Sequence, residues 1–267
     1  MNGWCPRWRS GVAWGLAWWL WAMPGGLLAD AAAEFDRLYE QSEQEFAQGR
    51  YSEVEQTALK LRWLAEGPLR DQPQALALAL NQQGIALHMQ GRYAQAEPLY
   101  ERAIEIEEKV LGPDAPPLSM RLNNLAQLYH DQGHYAKAEA VHKRALVSRE
   151  RAQGPHDPDV AQSLNALASI YFLQGRYLEA EPLFRRAIAI QQRQAGPPSA
   201  DQARFTSNLA TLCKDQGRYA EAEQLFRRAL AMLEKSLRPG HPDIATSWSN
   251  LAAFYQEIGR ASCRERV

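Results

Sequence analysis

Gln132-Gly133-His134-Tyr135-Ala136-Lys137-Ala138-Glu139 decides the fold, because the block returns along the chain at one fixed interval. Gly49, Gly91, Gly133, Gly175, Gly217 and Gly259 stand 42 residues apart, and Tyr51, Tyr93, Tyr135, Tyr177 and Tyr219 keep that step. Ala96, Ala138, Ala180 and Ala222 follow in register, and so do Ala103, Ala145, Ala187 and Ala229. Self-similarity at this period marks stacked supersecondary repeats, none of which can bury its apolar face alone.

Each period reads as two helices. Leu122, Leu125, Ala126 and Tyr129 fall at i, i+3, i+4 and i+7, one face of a helix A over roughly 118–132. Gly133 stops it, since a residue without Cβ accepts the backbone turn needed there. Helix B starts near Tyr135 and runs towards Ala152, with Ala138, Ala145 and Leu146 inward. Gly112, Gly154 and Gly196 mark the next stop, followed by Pro113, Pro155 and Pro197, with Pro239 in the last. Asp159, Asp201 and Asp243 are placed as N-caps of the following helices. The recurring alanines permit close helix approach, and a larger side chain there costs about 1–3 kcal/mol. Glu139/Lys143, Glu181/Arg185 and Glu223/Arg227 are i, i+4 pairs, a pattern that Glu97/Glu101 breaks.

The expected fold is therefore all-α: a right-handed α-solenoid of about six helix-turn-helix units. A degenerate first repeat spans 32–74. An array over 75–256 follows, with repeats at 75–116, 117–158, 159–200 and 201–242 and a partial one at 243–256. A period of 42 is shared with other repeat architectures, so the internal pattern decides. Gly84, Ala126, Ala168, Ala210 and Ala252 sit seven positions before each turn glycine. Tyr100, Phe184 and Phe226 lie nine after it, and the second alanine twelve after. This resembles the tetratricopeptide repeat (TPR). Leu122-Asn123-Asn124-Leu125-Ala126, Gln174-Gly175-Arg176-Tyr177 and Gly154-Pro155-His156-Asp157-Pro158-Asp159-Val160-Ala161 resemble its longer kinesin-light-chain subtype. The likeness covers about 34–256. Cys213 departs from it at a usual Tyr position, and His142 at a usual Phe position.

The two ends read differently. Arg7 and Arg9 precede the uncharged run Gly11 to Met23 (GVAWGLAWWLWAM), Pro24-Gly25-Gly26 breaks it, and Ala29-Asp30-Ala31 offers small residues for cleavage. Residues 1–31 read as a secretory signal peptide, of a bacterial periplasmic or secreted protein. A membrane anchor is the alternative, although the run falls short of the about 20 apolar residues needed to span. No stable membrane insertion is expected after cleavage. At the other end, 257–267 (EIGRASCRERV) resembles read-through of a short-read sequencing adapter, the alternative being a natural, frayed terminus. On the first reading the natural gene continues past Tyr255 with helix B of a sixth repeat.

Chemistry is sparse. With 30 Lys+Arg against 31 Asp+Glu there is no basic stripe, so nucleic acid is not an expected partner. No Gly-rich phosphate loop, G-x-S-x-G, H-E-x-x-H or CxxC occurs, so neither an enzyme nor a cofactor is expected. His130 and His134 are separated by a helix-ending glycine, which argues against a metal pair. Cys213, at an inward position, reads as a core thiol. What remains is a surface for a protein or peptide. Helix A lines the concave side of such solenoids, and its outward positions carry Asn81, Asn123, Asn124, Asn165, Asn208 and Asn250. Amides can donate to and accept from an extended backbone at successive steps; the alternative is that they bridge neighbouring repeats. The kinesin-light-chain resemblance implies a peptide groove at these positions. Met89, Met120 and Phe172 could add apolar pockets, although core packing is the plainer reading of them. Arg204 and Lys214 could attract an acidic partner. Arg92, Arg176 and Arg218 read as solvated edge charges. The function expected is a non-catalytic scaffold; the alternative is the sensor half of a longer enzyme, since bacterial proteins resembling this one can carry a caspase-like module.

Overall fold

The computed structural model describes residues 27–194 and 196–264, so the apolar leader run at 11–23 lies outside the described residues. Among the described residues there are eleven α-helices and no strand: α1 (Leu27–Ala47), α2 (Tyr51–Glu66), α3 (Pro73–Met89), α4 (Tyr93–Leu111), α5 (Pro116–Asp131), α6 (Tyr135–Gln153), α7 (Pro158–Leu173), α8 (Tyr177–Gln192), α9 (Ala200–Asp215), α10 (Tyr219–Ser236) and α11 (Pro242–Arg264). Odd-numbered helices are the A helices and even-numbered ones the B helices. The described residues form two compact units, divided between Gln132 and Gly133.

The recurring glycines make the A-to-B turns. Gly49, Gly91, Gly133, Gly175 and Gly217 hold φ between +71° and +75°, a left-handed conformation that costs other residues about 1–2 kcal/mol. Around Gly175, the Gly175 N–H donates to the Phe172 carbonyl and the Arg176 N–H to the Tyr171 carbonyl, both at 2.9 Å. That pair of bonds satisfies carbonyls left open at a helix end. The B-to-A turns correct one expectation. Asp157, not Asp159, caps α7 by accepting from the Asp159 N–H at 2.8 Å. Ser199, not Asp201, caps α9, and His241 Nδ1 accepts from the Asp243 N–H at the start of α11. Pro158 and Pro242 take the first helical position, where the missing N–H is harmless, and this moves the capping residue upstream of the aspartates.

In the N-terminal unit, Phe35, Leu38, Leu61, Leu64, Leu69 and Ala75 form one core, so the divergent first repeat is a complete packed hairpin. Beside it Ala77, Leu80, Ala103 and Ile106 close α3 on α4. A Cβ placed on Gly84 would lie 2.8 Å from Tyr100 Cε1; the ring of helix B rests directly on the backbone of helix A. In the C-terminal unit, Leu164, Leu167, Ala168, Phe184, Ile188, Phe205, Leu209, Ala210 and Phe226 run through one core. Each fully buried side chain of this size contributes about 1.5–3 kcal/mol, several times a surface ion pair, so packing dominates. Cys213 is fully buried among these residues, and burial pushes its thiol up to about 11. α6 is the exception: its buried positions are Ala138, His142, Ala145, Ser148 and Arg149, with no large apolar side chain.

The position where each B helix meets the next A helix carries a different chemistry at every seam. Glu107 and Arg121 form a buried ion pair at 3.1 Å, with two guanidinium nitrogens of Arg121 donating to Glu107 Oε1 while Oε2 finds no partner. One period later, buried Arg149 donates to the Asp159 carbonyl at 2.8 Å and to Ser163 Oγ at 2.9 Å. Then comes Gln191, and finally Leu233, packed with Ala203, Ala229 and Met232.

Candidate functional site

The A-helix surface carries the residues singled out for binding. Asn81 and Asn165 are buried rather than turned outward. Asn124 Nδ2 donates to Asn81 Oδ1 at 2.8 Å, and Asn208 Nδ2 donates to Asn165 Oδ1 at 2.9 Å. The amides thus bridge neighbouring A helices, α3 to α5 in one unit and α7 to α9 in the other. Within each pair the accepting residue is buried and the donating residue half-buried. Asn123 is half-buried and Asn250 exposed.

Phe172 is half-buried against the core and pairs with Tyr177 at 5.7 Å between ring centroids, so it fills space between α7 and α8. Arg204 is exposed, ion-paired with Asp201 at 2.8 Å and lying over the Phe205 ring. Lys214 bridges to Glu257 at 3.0 Å, a residue within the tail segment. Met89 and Met120 are half-buried.

The three arginines expected as solvated edge charges are partly exposed and ion-paired. Arg92 reaches Glu55, Arg176 reaches Glu139 and Arg218 reaches Glu181, each at 2.6–2.7 Å and each across to the preceding B helix. The Arg176 guanidinium also lies 4.1 Å over the Tyr171 ring. The signal was in the sequence, because the arginine and the glutamate recur together at one separation. Glu97 and Glu101, which break the helix ion-pair pattern, both accept from the Tyr129 hydroxyl, at 2.9 and 3.4 Å.

Sequence reasoning missed a polar chain in the N-terminal unit that runs from buried His88 to the partly exposed Asp131 and His130. His88 Nε2 is 2.9 Å from Asp131 Oδ2, and His130 Nδ1 is 2.9 Å from Asp131 Oδ1. These contacts hold the Asp131 carboxyl below its usual value in spite of burial, which acts to raise it. His130 meets Asp131, not His134. Among the described residues no group of His, Cys, Asp and Glu is arranged to hold a metal, and no helix is long and apolar enough to cross a membrane.

Paired amides join successive helical hairpins within each unit, the arrangement of a helical repeat protein. The tetratricopeptide-repeat family model matches residues 75–150, 136–193 and 201–262, more than half of the chain, and the protein belongs to that family. Comparison with curated proteins gives no match. Solved structures that resemble it include BtubC (BKLC) from P. vanneervenii, 20% identical over 81% of this chain and 95% of that one, with a TM-score of 0.66. Kinesin light chain nearly identical TPR-like repeats of Podosopora anserina are 23% identical over 73% of this chain and 92% of theirs, with a TM-score of 0.60. Bacillus thuringiensis PlcR, solved with the peptide PapR7 and DNA, is 16% identical over 83% of this chain and 74% of its own, with a TM-score of 0.59. Kinesin-light-chain-like TPR proteins are thus among the structural neighbours, and the fold is a helical repeat solenoid suited to protein–protein interaction.

Proposed function

We propose that this protein is an exported, non-catalytic scaffold that binds an extended segment of a partner protein along its A-helix surface. The observation that carries the reading is the amide pairing. Asn81 and Asn165, buried and bonded, fix the orientation of Asn124 and Asn208, which present a remaining donor and acceptor to a peptide backbone. A side chain already oriented loses little entropy on binding, which favours recognition of main chain over any one residue type. Asn123 joins the first pair in the N-terminal unit and Asn250 the second in the C-terminal unit, where Arg204 and Lys214 are the cations of α9. Phe172 contributes packing and no pocket. That PlcR was solved with a peptide is in keeping with this use of the fold. Export rests on the leader alone: a basic start, an apolar run and a small-residue cleavage stretch.

The test is selection of binding peptides from a displayed library, followed by affinity measurement. Asn124→Ala and Asn208→Ala leave the anchors in place, and each is expected to weaken a selected peptide about five- to tenfold, the worth of one or two hydrogen bonds. Unchanged affinity in both variants refutes the assignment. For export, residues 1–31 fused to a reporter active only outside the cytoplasm must give reporter activity.

A further inference from the structure

Charge is divided unevenly along the chain. Residues 27–132 carry 17 Asp+Glu against 9 Lys+Arg, a balance of −8, whereas residues 133–256 carry 12 against 16, a balance of +4. The cations of the C-terminal unit are not scattered. Arg144, Arg186 and Arg228 hold one position of its successive B helices, and Arg151, Arg193 and Lys235 hold the position seven residues later. Two turns of helix, about 10.5 Å, separate the rows. All six are exposed except half-buried Arg186. Between the rows stand Val147, Ala189 and Ala231, also exposed, so the stripe carries no acid of its own.

α4 shows what that substitution removes. Its cations at the same two positions are Arg102 and Lys109, and Glu105 between them pairs with both, at 2.6 and 2.7 Å. On α6, α8 and α10 an apolar residue replaces the bridging carboxylate. Glu150 reaches Arg186 from α6 at 2.6 Å, and His156 lies 3.1 Å from Arg193, so the charge of this face is reduced there but not cancelled.

The complement lies on α1. Asp36, Glu40 and Glu43 are exposed at i, i+4 and i+7, and exposed Ala33 and Ala47 continue the same strip at either end. Arg37, the cation of this helix, is turned to Glu34 at 2.6 Å. Asp36 and Glu40 are like charges one turn apart, a repulsion that an approaching cation relieves. Asp36 and Glu43 are two turns apart, the same about 10.5 Å that separates Arg186 from Arg193.

We propose that the outer B-helix face of the C-terminal unit is a docking surface for α1 of a second copy of this chain. Laid antiparallel along α8, that helix sets Glu43 on Arg186 and Asp36 on Arg193, with Glu40 above Ala189, whose small side chain lets the helices come close. The two faces differ, so the contact is heterologous and association can continue beyond a dimer. No aromatic stands between the cation rows for bases to stack on, which sets this face apart from a single-strand nucleic-acid platform. The contact uses neither the paired amides nor their peptide, so it stands or falls apart from the scaffold reading.

The test is sedimentation of the full-length protein over a range of concentrations. At about 0.01 M salt the weight-average mass is expected to climb past that of a dimer. At about 1 M salt, where charges are screened beyond about 3 Å, the protein should be monomeric. Asp36→Lys with Glu43→Lys, and separately Arg186→Glu with Arg193→Glu, should each abolish self-association while helical circular dichroism stays unchanged. An equimolar mixture of the two double variants must associate again, because each supplies the face that the other has lost. Association that survives high salt or either double variant overturns the proposal, and so does a mixture that stays monomeric. A parent protein that is monomeric at low salt also overturns it; if that protein sediments with phosphatidylglycerol vesicles and the Arg186→Glu, Arg193→Glu variant does not, the face serves an anionic membrane instead.

Discussion

Replacing Arg121 with methionine tests the energetics of the first buried seam. Both members of the Glu107–Arg121 pair are 3–4% exposed and their charged atoms lie 3.1 Å apart. At an effective dielectric of about 20 the attraction is on the order of 5 kcal/mol, and it is set against the desolvation of two charges. The arrangement is imperfect, because the guanidinium serves one carboxylate oxygen and leaves Glu107 Oε2 bare. Arg121→Met alone strands a buried carboxylate, for an expected loss of about 3–5 kcal/mol. Glu107→Leu with Arg121→Met removes both charges and should come within about 1 kcal/mol of the parent or exceed it. Burial already raises the Glu107 pKa above its unfolded value, and losing the cation raises it further. A carboxyl raised on folding favours the folded state when protonated, so the single variant's deficit should shrink as pH falls through the folded pKa towards the unfolded one. The assay is urea unfolding followed by circular dichroism at neutral and mildly acidic pH. A single variant within 1 kcal/mol of the parent at neutral pH, or a double variant no better than the single, refutes the account.

Gly175→Ala meets no neighbour within 4 Å, yet φ is +72°, so a loss of about 1–2 kcal/mol measured by urea unfolding should come from the backbone alone. Gly84→Ala sets a helix-propensity gain of about 1 kcal/mol against overpacking of about 1–3 kcal/mol by the fully buried Tyr100 ring. Because that ring has nowhere to move, thermal melting should show a net loss. Arg218→Met breaks contacts with Glu181 and Glu221, but these are half-exposed, so under about 1 kcal/mol is expected, shrinking further in high salt. Cys213, buried with a thiol pKa of about 11, should resist iodoacetamide in the folded protein and react only on unfolding, as read by peptide mass spectrometry.

The helices and their turns were legible because glycine and the inward alanines repeat in register, a signal that accumulates over five copies. Contacts between repeats were less so. The asparagines look outward on a helical wheel, but only the approach of the next A helix decides that Asn208 spends one N–H on Asn165. Arg176 and Arg218 each reach one glutamate three residues on, which a local rule supplies, and another 37 residues back, which is visible only when the repeats are compared. Asp159 was misplaced as a cap by two residues, because Pro158 claims the first helical position. In the His88–Asp131–His130 chain the two histidines stand one period apart, but Asp131 has Met89 and Leu173 at the matching positions on either side, so the group that joins them left no periodic trace.

The seams have a consequence for how such a protein can be rearranged. A carboxylate with a guanidinium, a guanidinium with a carbonyl and a hydroxyl, an amide, and a leucine follow one another where identical modules could have used one joint. Excising the third repeat would set Glu107 against Ser163, a charge against a hydroxyl that cannot neutralise it. The modules are therefore keyed to their neighbours, and recombination that treats them as interchangeable beads would produce chains with the right number of hairpins and the wrong locks.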